Sequence, residues 1–132
     1  MRRLFIVFAG LFLAFNCHAQ TELTAFNIGK MMRGQWVSGE DTTFTITING
    51  DTMIENKRGD LKRFTFTLDK ESCDPQADNK LARRSMATTG FYINESSTAF
   101  DGVEFCNVVV AVSDSVMVWY TTGKLMNLKK KK

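Results

Sequence analysis

From position 34 onward, turn-forming residues recur roughly every eight to twelve positions, and the stretches between them alternate apolar and polar with period two. That rhythm builds β-strands; an amphipathic helix would repeat its apolar residues every three to four positions. Residues 42–48 are the clearest case. Phe44, Ile46 and Ile48 fall on one face and threonines on the other. Thr suits a wet strand face, because its branched carbon fits the pleat and its hydroxyl meets water. Asn49-Gly50 reads as a two-residue hairpin turn, since both residues tolerate positive φ. Residues 52–56 return, Lys57-Arg58-Gly59-Asp60 turns again, and 61–68 follows with Phe64, Phe66 and Leu68 on one face.

Residues 69–87 break the rhythm and hold the single proline, Pro75. Asp74-Pro75 reads as a helix start, with Asp as N-cap and Pro at the first helical position. A short helix over 78–86 would make about two turns. Alternation then resumes over 89–94, with Asn94-Glu95-Ser96-Ser97 as a turn, and continues through 98–101 and 103–112. Ser113-Asp114-Ser115 and Thr122-Gly123 separate the last two strands, 116–121 and 125–129. The expected fold is all-β: an antiparallel up-and-down meander of about eight short strands, closing into a barrel. Closure removes the two edges that an open sheet would expose. A two-sheet sandwich is the rival, but no long crossover loop of the kind a Greek key needs is evident.

One domain accounts for the length. Residues 1–19 read as a cleaved secretory signal, with Arg2 and Arg3, an apolar run from 4 to 15, and a small residue at Ala19. That run is too short for the roughly 20 residues that span a bilayer. Lipidation at Cys17 is the second option, although Phe15 and Asn16 depart from the small residues that usually precede a lipidated cysteine. Cleavage after Ala19 leaves a single domain over 20–132, secreted or periplasmic, with net charge +1, no histidine and two cysteines. The absence of histidine excludes Ser-His-Asp and Cys-His nucleophile systems and any His-ligated metal site. No metal, cofactor or catalytic constellation is expected, and the protein reads as non-enzymatic.

The segment Phe26-Asn27-Ile28-Gly29-Lys30-Met31-Met32-Arg33-Gly34-Gln35-Trp36 resembles the opening of a lipocalin-type barrel, within the wider calycin superfamily. Such barrels begin with a short helical turn and then a Gly-x-Trp at the start of the first strand, here Gly34 and Trp36. The overall look is that of small lipocalin-like proteins of bacterial envelopes. The resemblance implies that Trp36 closes the barrel base and that a basic side chain of the last strand packs across it. Lys129 is the expected partner, with Arg33 as an alternative. The family holds small lipid-like molecules in its barrels, so a small hydrophobic or amphipathic ligand is implied.

In an oxidising compartment, the remaining pair Cys73 and Cys106 reads as a disulfide. Glu40, Asp41, Asp51, Glu55, Asp101 and Glu104 read as solvated surface, since nothing marks two of them as a facing pair. Lys80, Arg83 and Arg84 form a basic cluster in the 69–87 segment, which could act as a lid over the mouth and meet an anionic ligand head. The basic tail 129–132 follows an acidic body. No extended basic surface with interleaved aromatics is present, so no nucleic-acid partner is expected. Inward positions, expected to include Phe100, Val108, Val110, Val118 and Tyr120, either line a pocket or fill the barrel solid. The functional expectation is a non-catalytic ligand-binding barrel. The alternative is a structural or protein-interaction module of the envelope with a solid core.

Overall fold

The computed structural model describes residues 23–132. The expected signal segment, Cys17 included, lies outside these residues. Helix α1 (Ala25–Met32) leads into β1 (Gly34–Ser38), β2 (Phe44–Asn49), β3 (Thr52–Lys57) and β4 (Asp60–Asp69). Helix α2 (Pro75–Arg83) follows, and then β5 (Phe91–Ser97), β6 (Glu104–Val112), β7 (Val116–Thr121) and β8 (Lys124–Lys130). Each strand pairs antiparallel with the next, and β8 pairs back to β1, so the sheet is a closed up-and-down barrel. The sandwich alternative is excluded. The architecture is consistent with a lipocalin-like fold.

Turn chemistry sets the register. Arg58-Gly59 and Thr122-Gly123 take positive φ at both loop positions, the pattern that matches strand twist in a tight hairpin. Between β2 and β3 the two-residue loop is Gly50-Asp51, one position later than expected, because Asn49 pairs with Thr52. A glycine at the first loop position supplies the single positive φ, 62°, that this turn needs.

Because the strands alternate in direction, α1, the β2–β3 turn and the β4–β5 connection share one end of the barrel, its base. The β1–β2, β3–β4, β5–β6 and β7–β8 turns surround the other end, its mouth. Helix α1 seals the base. Thr24 caps it by accepting from the Asn27 amide at 3.1 Å, and Ile28 and Met32 insert into the core. Trp36 is fully buried, and its indole N–H donates to the Met32 carbonyl at 2.8 Å.

The basic partner of Trp36 is Lys130, not Lys129. Trp36 and Lys130 are opposed across the β1–β8 seam, and the Lys130 ammonium lies 5.0 Å from the Trp36 ring centroid while donating to the Met31 carbonyl at 3.2 Å. Lys129 sits one position earlier in the period-two alternation, so its side chain is exposed. Backbone conformation, with the Lys130 stem lying close by, explains the glycine of the motif. Gly34 has φ of 124°, and a Cβ there would stand 2.8 Å from Lys130 Cε.

Helix α2 forms where Asp74-Pro75 predicted, with the Asp74 carboxylate accepting from the Gln76 and Ala77 amides at 3.1 Å. It packs against the outside of the barrel. Ala77 and Leu81, one turn apart, meet Val108 and Tyr120 in a second small core, flanked by Tyr92, Val110 and Leu125. Val108, Val110 and Tyr120 therefore face outward, contrary to expectation. The inward residues of β6 and β7 include Phe105, Asn107, Val109, Met117 and Trp119. A bulge between Val109 and Ala111 also shifts the β6 register. Val118, expected inward, alternates with Met117 and Trp119 and so belongs to the outer face. Phe100, also expected inward, is exposed in the β5–β6 loop. Cys73, just before α2, is bonded to Cys106 on β6, with Cα atoms 5.8 Å apart.

Two outcomes test this frame. Trp36→Ala is expected to cost about 3–5 kcal/mol in urea unfolding, as large aromatic truncations in cores do. In the same assay Lys130→Met should cost about 1–2 kcal/mol, from lost cation–π and charged hydrogen-bond contacts, while Lys129→Met stays within about 0.5. Equal effects at the two lysines would contradict the seam described. For the disulfide, the Cys73→Ser/Cys106→Ser pair should lower stability by roughly 3–4 kcal/mol for a loop of 33 residues, and reductant should reproduce the loss in wild type but not in the variant.

Candidate functional site

The lower half of the barrel is filled by Trp36, Ile46, Ile48, Met53, Ile93, Leu128 and their neighbours. The upper half is not. A cavity of about 650 Å³ opens at the mouth. Phe64 from β4, Trp119 from β7 and Met126 from β8 form much of its apolar wall. Phe64 also meets Phe105 edge to face, with ring centroids 5.9 Å apart. The rim carries Leu61, Phe100, Val103 and Phe105, all exposed. These are four of the seven large apolar residues exposed among the described residues. Their clustering at one opening is what marks the region, since single exposed apolar residues are ordinary.

Three carboxylates line this cavity: Asp60, exposed at the rim, and the more buried Glu55 and Glu95. Glu95 on β5 is 3% exposed, and Asn107 on β6 donates its side-chain amide to Glu95 Oε1. Glu55 on β3 is half-buried and lines the same space. Burial pushes the Glu95 carboxyl up to about 8, the Glu55 charge adds to the rise, and the Asn107 hydrogen bond opposes it. Burial also raises Glu55, against the pull of Lys62, which faces it from β4. The Trp119 indole N–H is buried and finds no hydrogen-bond partner among the described residues. The cavity is thus a largely apolar chamber with two partly or fully buried acids and a carboxamide in its wall.

Glu55 corrects one expectation: it faces inward instead of forming solvated surface. Glu95 corrects another. Asn94-Glu95-Ser96-Ser97 has turn composition, but β5 runs through Ser97 and Glu95 pairs with Phe66 and Phe105. The only advance signal was parity. Glu95 stands two residues after Ile93 and four after Phe91, on the same face.

The basic cluster is elsewhere. Lys80, Arg83 and Arg84 are exposed on and just after α2, and α2 leaves the base and lies on the outer wall. The 69–87 segment is therefore not a lid at the mouth, because the β4–β5 connection belongs to the opposite end. Gly34 and Trp36 belong to the base as well, and the Cys73–Cys106 bond lies on the outer wall. None of them lines the cavity.

The Glu95 environment sets a pH dependence. Below about pH 4.5, the ordinary value for this group, the carboxyl is protonated whether the chain is folded or not. As pH rises toward about 8, the unfolded chain ionises it while the folded chain keeps the proton, so stability falls across that window. Above it no further loss follows. Glu95→Gln removes the effect, and its stability gain over wild type should grow between pH 5 and 8 to the order of several kcal/mol, then level off. Urea unfolding at a series of pH values measures this, and a gain that does not vary with pH would contradict it.

Comparison with protein-family models finds no family that matches this chain, and comparisons with curated proteins and with solved structures find no match either.

Proposed function

We propose that this chain is an exported, non-catalytic barrel that holds one small molecule with an apolar body in its open half, in the manner of small lipocalin-like proteins of bacterial envelopes. The cavity of about 650 Å³ carries the reading. Its volume lies within the range of small-molecule sites, and an apolar wall with a few polar groups is their usual make-up. A barrel serving only as a structural module gains nothing from leaving half its interior empty, since voids forfeit packing energy. Export is supported by the signal-like segment 1–19 and by the Cys73–Cys106 bond, which persists in oxidising compartments. The apolar rim supports entry from the mouth, because a ligand seated there covers Leu61, Phe100, Val103 and Phe105.

Titration calorimetry with 1-octanol, a neutral probe, tests the reading. One saturable site is expected. Phe105→Asp, which puts a charge on the rim, should weaken it at least tenfold. Replacing Lys80, Arg83 and Arg84 together by Ala should leave it unchanged. Failure of every straight-chain octyl compound to saturate would overturn the proposal.

A further inference from the structure

Resting on that ligand-binding reading, we propose that the ligand carries an organic ammonium ion, received by the Glu55 and Glu95 carboxylates beside the aromatic wall of the cavity. Two features of the chamber converge on this chemistry. First, of the five ionisable groups that line the cavity, the two that are not exposed, Glu55 and Glu95, are both acids. Among the described residues Glu95 has no cationic partner; its neighbour in hydrogen bonding is Asn107, and the charge acting on it is that of Glu55. The cations Lys62 and Arg63 are exposed at the rim, and Lys62 serves Glu55.

Second, Phe64, Phe105 and Trp119 surround the acids. Aromatic rings together with carboxylates form the setting in which a desolvated ammonium is held by cation–π attraction and charge at once. A divalent metal ion is a poorer match, because no group of three His, Cys, Asp or Glu side chains among the described residues could hold one. An anionic head is poorer still, since it would be set against two acids.

The proton balance follows from the same groups. The titratable, charged and polar groups that share the cavity with Glu95 include Glu55 from β3, Asp60, Lys62 and Arg63 from β4 and Asn107 from β6, and of these Glu55 and Asn107 act on it directly. With its carboxyl pushed up to about 8, Glu95 is mostly protonated at pH 7. An arriving ammonium favours the carboxylate, so the acid proton leaves to solvent as the ion pair forms. Binding is therefore tighter at pH 8 than at pH 6.

The experiment compares octylammonium, 1-octanol and octanoate on the intact domain by titration calorimetry. Octylammonium is expected to bind at least tenfold more tightly than octanol at pH 8. At pH 7 it should release close to one proton, read from the dependence of the heat on buffer ionisation enthalpy. Glu95→Gln and, separately, Glu55→Gln should weaken octylammonium at least tenfold and leave octanol within twofold, which also shows that each variant is folded. Equal affinity for octylammonium and octanol, or tighter binding of octanoate, would overturn the ammonium assignment while leaving the ligand-binding reading in place. Failure of all three probes to saturate would overturn that reading itself.

Discussion

Everything in this fold rests on closing the seam between β1 and β8. It is the weakest joint of the barrel, because β1 has five residues and meets β8 over three residue pairs. Seven of the eight interfaces join strands adjacent in sequence, so turns or a single connection set their register. The eighth joins the two ends of the domain and has no turn to set it, so it carries the full loop-closure cost. Side-chain chemistry fixes it instead. The Lys130 stem crosses the face of Gly34, its ammonium sits over Trp36, and the Lys131 amide bonds to the Gln35 carbonyl at 2.8 Å. A one-residue slip would turn Lys130 outward and aim Lys129 into the base. Gly-x-Trp and the terminal lysines are therefore one device, split between the first and last strands.

Once the seam is closed, α2 has a wall to lie on. The outer faces of β5 to β7 carry Tyr92, Val108, Val110 and Tyr120, which would be a poor solvent surface for an isolated barrel. Helix α2 covers them with Ala77 and Leu81. It is tied at both levels, by the Cys73–Cys106 bond and by Tyr92 Oη donating to Asp78 at 2.9 Å. The helix thus adds a second layer to one sector of the barrel and leaves the mouth clear.

This covered sector also explains what the sequence could and could not reveal. Strand count, the meander, the Arg58-Gly59 and Thr122-Gly123 turns and the Asp74-Pro75 helix start are local signals, and they were legible, while barrel closure was legible from the edges an open sheet would expose. Strand parity was legible wherever one face is wet, as in β2 with Phe44, Ile46 and Ile48 against threonines. It failed in β6 and β7. Strands apolar on both faces carry no alternation to read, and residues 107–112 offer one polar side chain, Asn107, to break the tie. Glu95 was hidden for a different reason. Glutamate flanked by Asn and Ser reads as a turn, and a buried acid contradicts every composition rule. Such contradictions are where a functional site is expected, because a local rule is broken there without a structural gain.

The division of the interior follows from the same economy of forces. The base half is packed to exclude water and supplies the burial energy that holds the seam and α1. The mouth half does the opposite: it keeps an acid at 3% exposure and a donor unpaired, and exposes four large apolar side chains on the rim. The buried acid and the exposed rim each lower stability, and on the proposed reading both gain a partner when a molecule with an apolar body and a polar head occupies the chamber. Separation along the barrel axis lets both demands be met by one short chain. Strands long enough to pair around the whole circumference reach from a dry, rigid base to a wet rim, so strain at the Glu95 end need not loosen the Trp36 end. The same separation predicts where tolerance lies. On the ligand-binding proposal, changes at the mouth alter what is bound, whereas changes at Gly34, Trp36 or Lys130 alter the barrel itself.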